Sequence, residues 1–181
     1  MLTEPQKKEF LSLKVEIIDL NILTYSFFGK VKKLHEAFKN NGRSDLFMEY
    51  NALRYMENGL IMHLTNLDDK NSNFSFIKAQ KLVNKTTNDQ NLLKKLNVIL
   101  KTYRREINYI KQEHRNKRIA HLNYVDDLKM DQFLGKQLLP LIAKANEIGD
   151  LIWGEQINYQ FKLGSHEGVL NFRNETKKLT S

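Results

Sequence analysis

The sequence predicts an all-α protein, on three observations. Apolar residues return at steps of three and four along most of the chain, which is the period of a buried helix face. Only two prolines and eight glycines interrupt 181 residues, too few for the many tight turns of an all-β domain. The length suits a single domain that buries a core of its own.

The first stripe covers residues 5–39 through Phe10, Leu13, Ile17, Leu20, Leu23 or Tyr25, Phe27, Val31, Leu34 and Phe38. Thr3 caps it with Pro5 in the first turn, and Asn40-Asn41-Gly42 stops it. One helix satisfies the pattern, and so do two divided at a soft point from Ser26 to Gly29. A second helix, capped by Ser44 or Asp45, runs to about Leu67 on a stripe of Leu46, Phe47, Tyr50, Leu53, Met56 or Glu57, Leu60, Ile61 and Leu64. After the polar loop Asp68–Asn73, Ser75 to Asn84 reads as a short helix. A long one starts near Asp89, with Leu92, Leu93, Leu96, Ile99, Leu100, Tyr103, Ile107 and Ile110 on its buried face. The last helix is expected from roughly Asp131 to Tyr159, with Pro140 kinking it or joining two pieces, and with Trp153 in the core or at a dimer contact. The expected organisation is one helical domain over residues 1–163 and a polar, loosely held C-terminal tail over 164–181, joined by Gly164-Ser165-His166-Glu167-Gly168.

The absence of cysteine excludes disulfides, thiolate zinc sites and cysteine nucleophiles. The N-terminal residues have no apolar core of signal-peptide length, and no run of about 18 apolar residues occurs, so a soluble cytoplasmic protein with no membrane partner is expected. The net charge of +8 favours a polyanionic partner. Along the long helix Lys101, Arg104, Arg105, Lys111, Arg115, Lys117 and Arg118 stand against only Glu106 and Glu113. The surplus therefore gathers towards one stretch, Ile110 to Asn123.

That stretch holds Arg115, Asn116 and His121, and these residue types can cleave RNA without a metal if they converge on one phosphate. Arginine offers a rigid fork of donors to two phosphate oxygens and stabilises charge building there. Histidine titrates near neutrality, so it can take the ribose 2′-OH proton or give one to the departing 5′-oxygen. Asn116 can orient the phosphate or the imidazole. On a regular α-helix Arg115 and His121 would lie about 120° apart around the axis. Arginine's reach, a turn, or a two-fold partner that brings the same patch from each subunit would close that gap.

The run Arg115-Asn116-Lys117-Arg118-Ile119-Ala120-His121 resembles the motif of the HEPN superfamily, an arginine and a polar residue followed at short spacing by histidine. Over residues 10–155 the chain also looks like the abortive-infection U-like branch, through Leu64-Thr65-Asn66-Leu67-Asp68-Asp69-Lys70, Phe74-Ser75-Phe76-Ile77 and Arg115 to Leu122. The resemblance implies a bundle of four to five main helices, often a homodimer, and a metal-independent endoribonuclease in a toxin–antitoxin or phage-defence system, with an antitoxin or regulatory protein as a further partner. It implies Arg115, His121 and Asn116 as the catalytic set. Lys117, Arg118, Lys111, Arg104 and Arg105 would hold the RNA backbone, with support from Asp68 and His114. Where some members carry a modifiable tyrosine two residues after the histidine, this chain has Asn123, then Tyr124.

No cofactor is implied. His114 and His121 share a helical face, but only Glu113 or Asp126 could join them, so no metal site is expected. His63 and Asp68 could approach the stretch from the end of the second helix, while Asp126 and Asp127 read as helix-start residues. No glycine-rich phosphate loop and no Gly-x-Ser-x-Gly occurs. The rival readings are a HEPN-type nucleic-acid- or nucleotide-binding module that cleaves nothing, and a protein that only dimerises through its long helices.

Overall fold

The computed structural model describes residues 3–40, 42–72, 75–120 and 134–180, with side chains throughout except at 35–38, 40, 43 and 117–120. Among these residues are seven α-helices, one π-helix and one two-stranded hairpin, so the all-α expectation holds. Helix α1 (Glu4–Glu9) starts at Thr3, whose N–H donates to the Gln6 side chain at 2.9 Å. The chain breaks at Phe10, and α2 (Leu11–Asn40) then runs without interruption through Ser26–Gly29. Of the two alternatives left open at this point, the unbroken helix is the one found, and Gly29 lies in packing range of Leu179 near the C-terminus, where it admits a neighbouring helix.

Helix α3 (Arg43–Leu67) is capped by the Gly42 backbone, not by Ser44 or Asp45; Asp45 sits in its first turn, where the helix dipole favours a carboxylate. Ser75 caps α4 (Phe76–Thr86) by accepting from the Ile77 N–H at 3.1 Å. Asp89 caps α5 (Gln90–Ile110) by accepting from Asn91 and Leu92, both at 3.0 Å. Helix α5 continues directly into the π-helix, Lys111–Ala120. Helix α6 (Gly135–Trp153) contains Pro140, which does not divide it, and stops at Gly154 in a left-handed conformation (φ 87°) that favours glycine. The expected extension of that helix to Tyr159 is therefore corrected, and its expected start at Asp131 lies outside the described residues.

The core forms where α2 meets α3 and α6, and where α5 and α4 close over α6. Leu13, Ile17, Leu20, Leu53, Leu60, Leu64, Leu96 and Ile148 are among its fully buried side chains, as their spacing predicts. Trp153 belongs to this core, with Lys14 5.3 Å above its ring. Two polar devices key the helices together. Asn21 and Asn146 exchange reciprocal amide hydrogen bonds at 2.8 and 2.9 Å between α2 and α6. The buried Glu57 carboxylate of α3 accepts from the Leu134 N–H at the start of α6. Glu57, not Met56, is the more deeply buried of that pair.

The loosely held tail is also corrected. Strands β1 (Tyr159–Leu163) and β2 (His166–Leu170) pair antiparallel about a turn at Gly164, and α7 (Phe172–Thr180) docks on α2. Arg173 reaches Asp150 of α6 in a bidentate pair at 2.6 and 2.9 Å and donates to the Ile157 carbonyl at 3.1 Å. The Phe172 ring lies 5.5 Å from that of Tyr25 and 5.8 Å from that of Tyr159. Among the described residues no helix is long and apolar enough to cross a membrane.

Two predictions follow from these contacts. Arg173→Ala removes the double link between α7 and α6 and should cost about 1–3 kcal/mol in urea denaturation. Tyr103 is fully buried and donates to the Leu64 carbonyl at 2.6 Å; burial, then the negative charges of Asp68 and Glu16, push its phenol well above the ordinary value. The unfolded phenol ionises near pH 10 while the folded one does not, so this contribution is intact below about pH 10 and is lost as pH rises past it. Alkaline denaturation should show that loss, and Tyr103→Phe should lack it while costing about 1 kcal/mol at neutral pH.

Candidate functional site

The site grows from the C-terminal end of α3. The last carbonyls of a helix run out of N–H partners and carry the negative end of its dipole. Here donors from α5 and the π-helix meet them: Tyr103 O–H at Leu64, and Lys111 Nζ at the Asp68 carbonyl, 3.3 Å away. Asp68 follows the helix directly, and its side chain is only 4% exposed. Lys111 Nζ donates to its Oδ2 at 2.7 Å, and Arg104 Nε lies 3.1 Å from Oδ1. The Arg104 contact is close but off the direction a hydrogen bond needs, because Oδ1 has no hydrogen-bond partner among the described residues. Arg104 thus acts on Asp68 as a charge, and Lys111 as a charge and a donor.

Asp69 is held differently. Its Oδ1 accepts from the Asn71 N–H at 3.0 Å, an Asx turn of its own loop, and its Oδ2 stands 3.8 Å from Arg115 Nη2. The Arg115 side chain is 29% exposed and makes no hydrogen bond among the described residues. It lies four residues beyond Lys111 in the π-helix, where each N–H closes on the fifth residue back and the turn is wider than in an α-helix. The angle expected between Arg115 and His121 assumed α-helical winding; Lys111–Ala120 is not so wound, and His121 lies outside the described residues. A π-helix of ten residues is far longer than the single π-turns usual at functional sites.

Of the residues singled out in the sequence, Arg104, Lys111, Arg115 and Asp68 come together in one cluster, with Asp69 as its fifth member. Asn116 is exposed beside Arg115, and Arg105 is exposed on α5. The His114 ring sits edge-on to Tyr109 at 6.2 Å. His63 does not join the cluster; its Nδ1 pairs with Glu16 of α2 at 2.9 Å. His121, Asn123, Tyr124, Asp126 and Asp127 lie outside the described residues, as do the side chains of Lys117 and Arg118. Sequence reasoning missed Asp69 as an arginine partner and Tyr103 as a helix cap. The available signal was two consecutive acids closing a helix in a chain whose cations crowd onto another.

Among the described residues no group of three or more histidines or carboxylates could hold a metal ion. A separate open cleft of about 570 Å³ lies between Glu9, Phe10 and Ser12 on one side and Lys78, Lys81, Leu82 and Lys85 of α4 on the other. Among the described residues its charged lining is Glu9 against three lysines.

Asp68 should be indispensable to this arrangement. Asp68→Ala leaves Lys111 and Arg104 without their counter-ion and should destabilise the protein by about 3 kcal/mol in denaturant melts, with faster amide exchange over residues 111–116. No family model, curated protein or solved structure matches the chain, so the role of the cluster rests on its own chemistry.

Proposed function

We propose that this chain is a metal-independent endoribonuclease in which Arg115 holds and neutralises an RNA phosphate, His121 moves the proton, and Asn116 assists. The observation that carries the reading is the state of Arg115. A partly buried guanidinium is anchored on a basic helix, yet none of its five donors is hydrogen-bonded among the described residues. Those donors reach solvent and are open to a ligand, and a phosphate offers two oxygens that fit the fork. The resemblance to HEPN proteins supports the same assignment and suggests a homodimer in a cytoplasmic toxin or phage-defence setting, with an antitoxin or regulator as partner.

In this mechanism the 2′-oxygen attacks the adjacent phosphorus as its proton passes to an imidazole. The P–O5′ bond breaks and the departing 5′-oxygen receives a proton. The two His121 residues of a two-fold dimer would divide those tasks, and Arg115 would stabilise the charge on the non-bridging oxygens between them. The product is a 2′,3′-cyclic phosphate and a 5′-hydroxyl. DNA lacks the nucleophile. A second reading, RNA binding without cleavage, draws on the cations of α5 alone and needs no imidazole.

The test is RNA cleavage in EDTA by wild type, His121→Ala and Arg115→Ala, with product ends mapped. Wild type should cleave RNA and leave DNA of the same sequence intact. His121→Ala should be inactive, and Arg115→Ala reduced by about 10²–10³-fold. Equal cleavage by wild type and His121→Ala would sink the assignment, and cleavage by none of the three would leave the binding module.

A further inference from the structure

The two adjacent carboxylates at the end of α3 are attached in opposite ways. Asp68 is buried, hydrogen-bonded to Lys111 and flanked by Arg104, so it is a fixed counter-ion. The Asp69 side chain is 31% exposed, tied to its own loop through Oδ1, and leaves a 3.8 Å gap to Arg115 that no hydrogen bond bridges. Arg115 and Asp69, one positive charge and one negative, form a pair of their own, while Arg104 and Lys111 face Asp68.

We propose that Asp69 is a resident stand-in for the substrate phosphate at Arg115, and that it sets the site to take a phosphodiester, with one negative charge, in preference to a terminal phosphomonoester. This deepens the ribonuclease reading and rests on Arg115 as the phosphate holder. The chemistry is an exchange of anions. In the free protein the Asp69 carboxylate lies near enough to hold the guanidinium in place but too far to use its donors. An arriving phosphodiester takes the fork bidentately, and Asp69 gives up a weak pair while keeping its Asn71 hydrogen bond.

The charge balance then discriminates between substrates. A diester brings one negative charge to Arg115 beside the Asp69 carboxylate. A monoester carries about −1.5 to −2 at neutral pH and so meets a stronger repulsion from the same carboxylate. An internal phosphate is therefore accepted and a chain end is disfavoured, with no contact to any base. Asp69 acts here through charge, as a specificity-determining residue, and takes no part in bond making.

The experiment uses the full chain in a His121→Ala background, so that RNA survives. The dissociation constant of a fluorescent single-stranded RNA is measured with Asp69→Asn, with Arg115→Ala and with both. Asparagine can still accept from Asn71, so the Asp69→Asn protein should melt like its parent. Asp69→Asn should tighten RNA binding about two- to fivefold, the scale of an exposed ion pair, and the gain should vanish when Arg115 is alanine. In competition, Asp69→Asn should also strengthen uridine 3′-monophosphate more than the diester uridylyl-3′,5′-uridine. No gain, or an equal gain with and without Arg115, would show Asp69 to be ordinary surface charge and overturn the inference while Arg115-dependent binding keeps the ribonuclease reading. RNA binding that is absent or indifferent to Arg115→Ala would overturn both.

Discussion

The buried carboxylate of Asp68 is the constraint on which the rest of this end of the molecule depends. It occupies a doubly unfavourable place: water is excluded from it, and it follows the negative end of a helix dipole. Only cations supplied from elsewhere make that position tenable. Arg104 and Lys111 supply them, seven residues apart and so nearly one above the other along α5 and the start of the π-helix. Losing both contacts would strand a buried charge, so they help to fix the register of α5 against α3.

A second buried acid on the same helix extends the argument. Glu57 and Asp68 are eleven residues apart, about three turns, and therefore lie along one face of α3. One receives the Leu134 N–H at the start of α6, the other the lysine that opens the π-helix. Lys111 and Leu134 thus bracket the stretch that contains His121, and both are held by α3 through charge-assisted contacts. The interior of the bundle supplies the apolar mass, and these carboxylates decide which helix ends it brings together.

The legible parts of the sequence were those governed by short-range rules. Stripe spacing gave the main helices because burial selects one face, and Ser75 and Asp89 announced their helices because a cap needs only the next three residues. What failed needed partners distant in sequence. The stretch from Ser26 to Gly29 looked like a possible weak point, but its Gly29 makes room for Leu179 of α7, which the polar composition of residues 164–181 concealed. That helix buries a face of Phe172, Thr176 and Leu179, too few positions to set up a period. In the site, the cations were visible as a run, whereas their counter-ions lie about forty residues earlier in the chain. The π-winding from Lys111 corresponds to no spacing in the sequence; it begins at the lysine that Asp68 captures.

The pairing also divides the basic residues into two kinds that a charge count treats alike. Arg104 and Lys111 are committed to Asp68, so in the ribonuclease reading they position the site and give RNA little direct grip. Lys101 and Arg105 are exposed on α5 and form no ion pair among the described residues, which leaves their fields open to solvent. Exposed charges of that sort attract a polyanion over roughly a Debye length and are screened by salt, whereas a partly buried arginine making direct contact is screened much less. In the ribonuclease reading, salt should therefore weaken the approach of RNA more than a contact at Arg115. The +8 of the whole chain acts at long range on any polyanion, whereas Arg115 and Asp69 act only at contact.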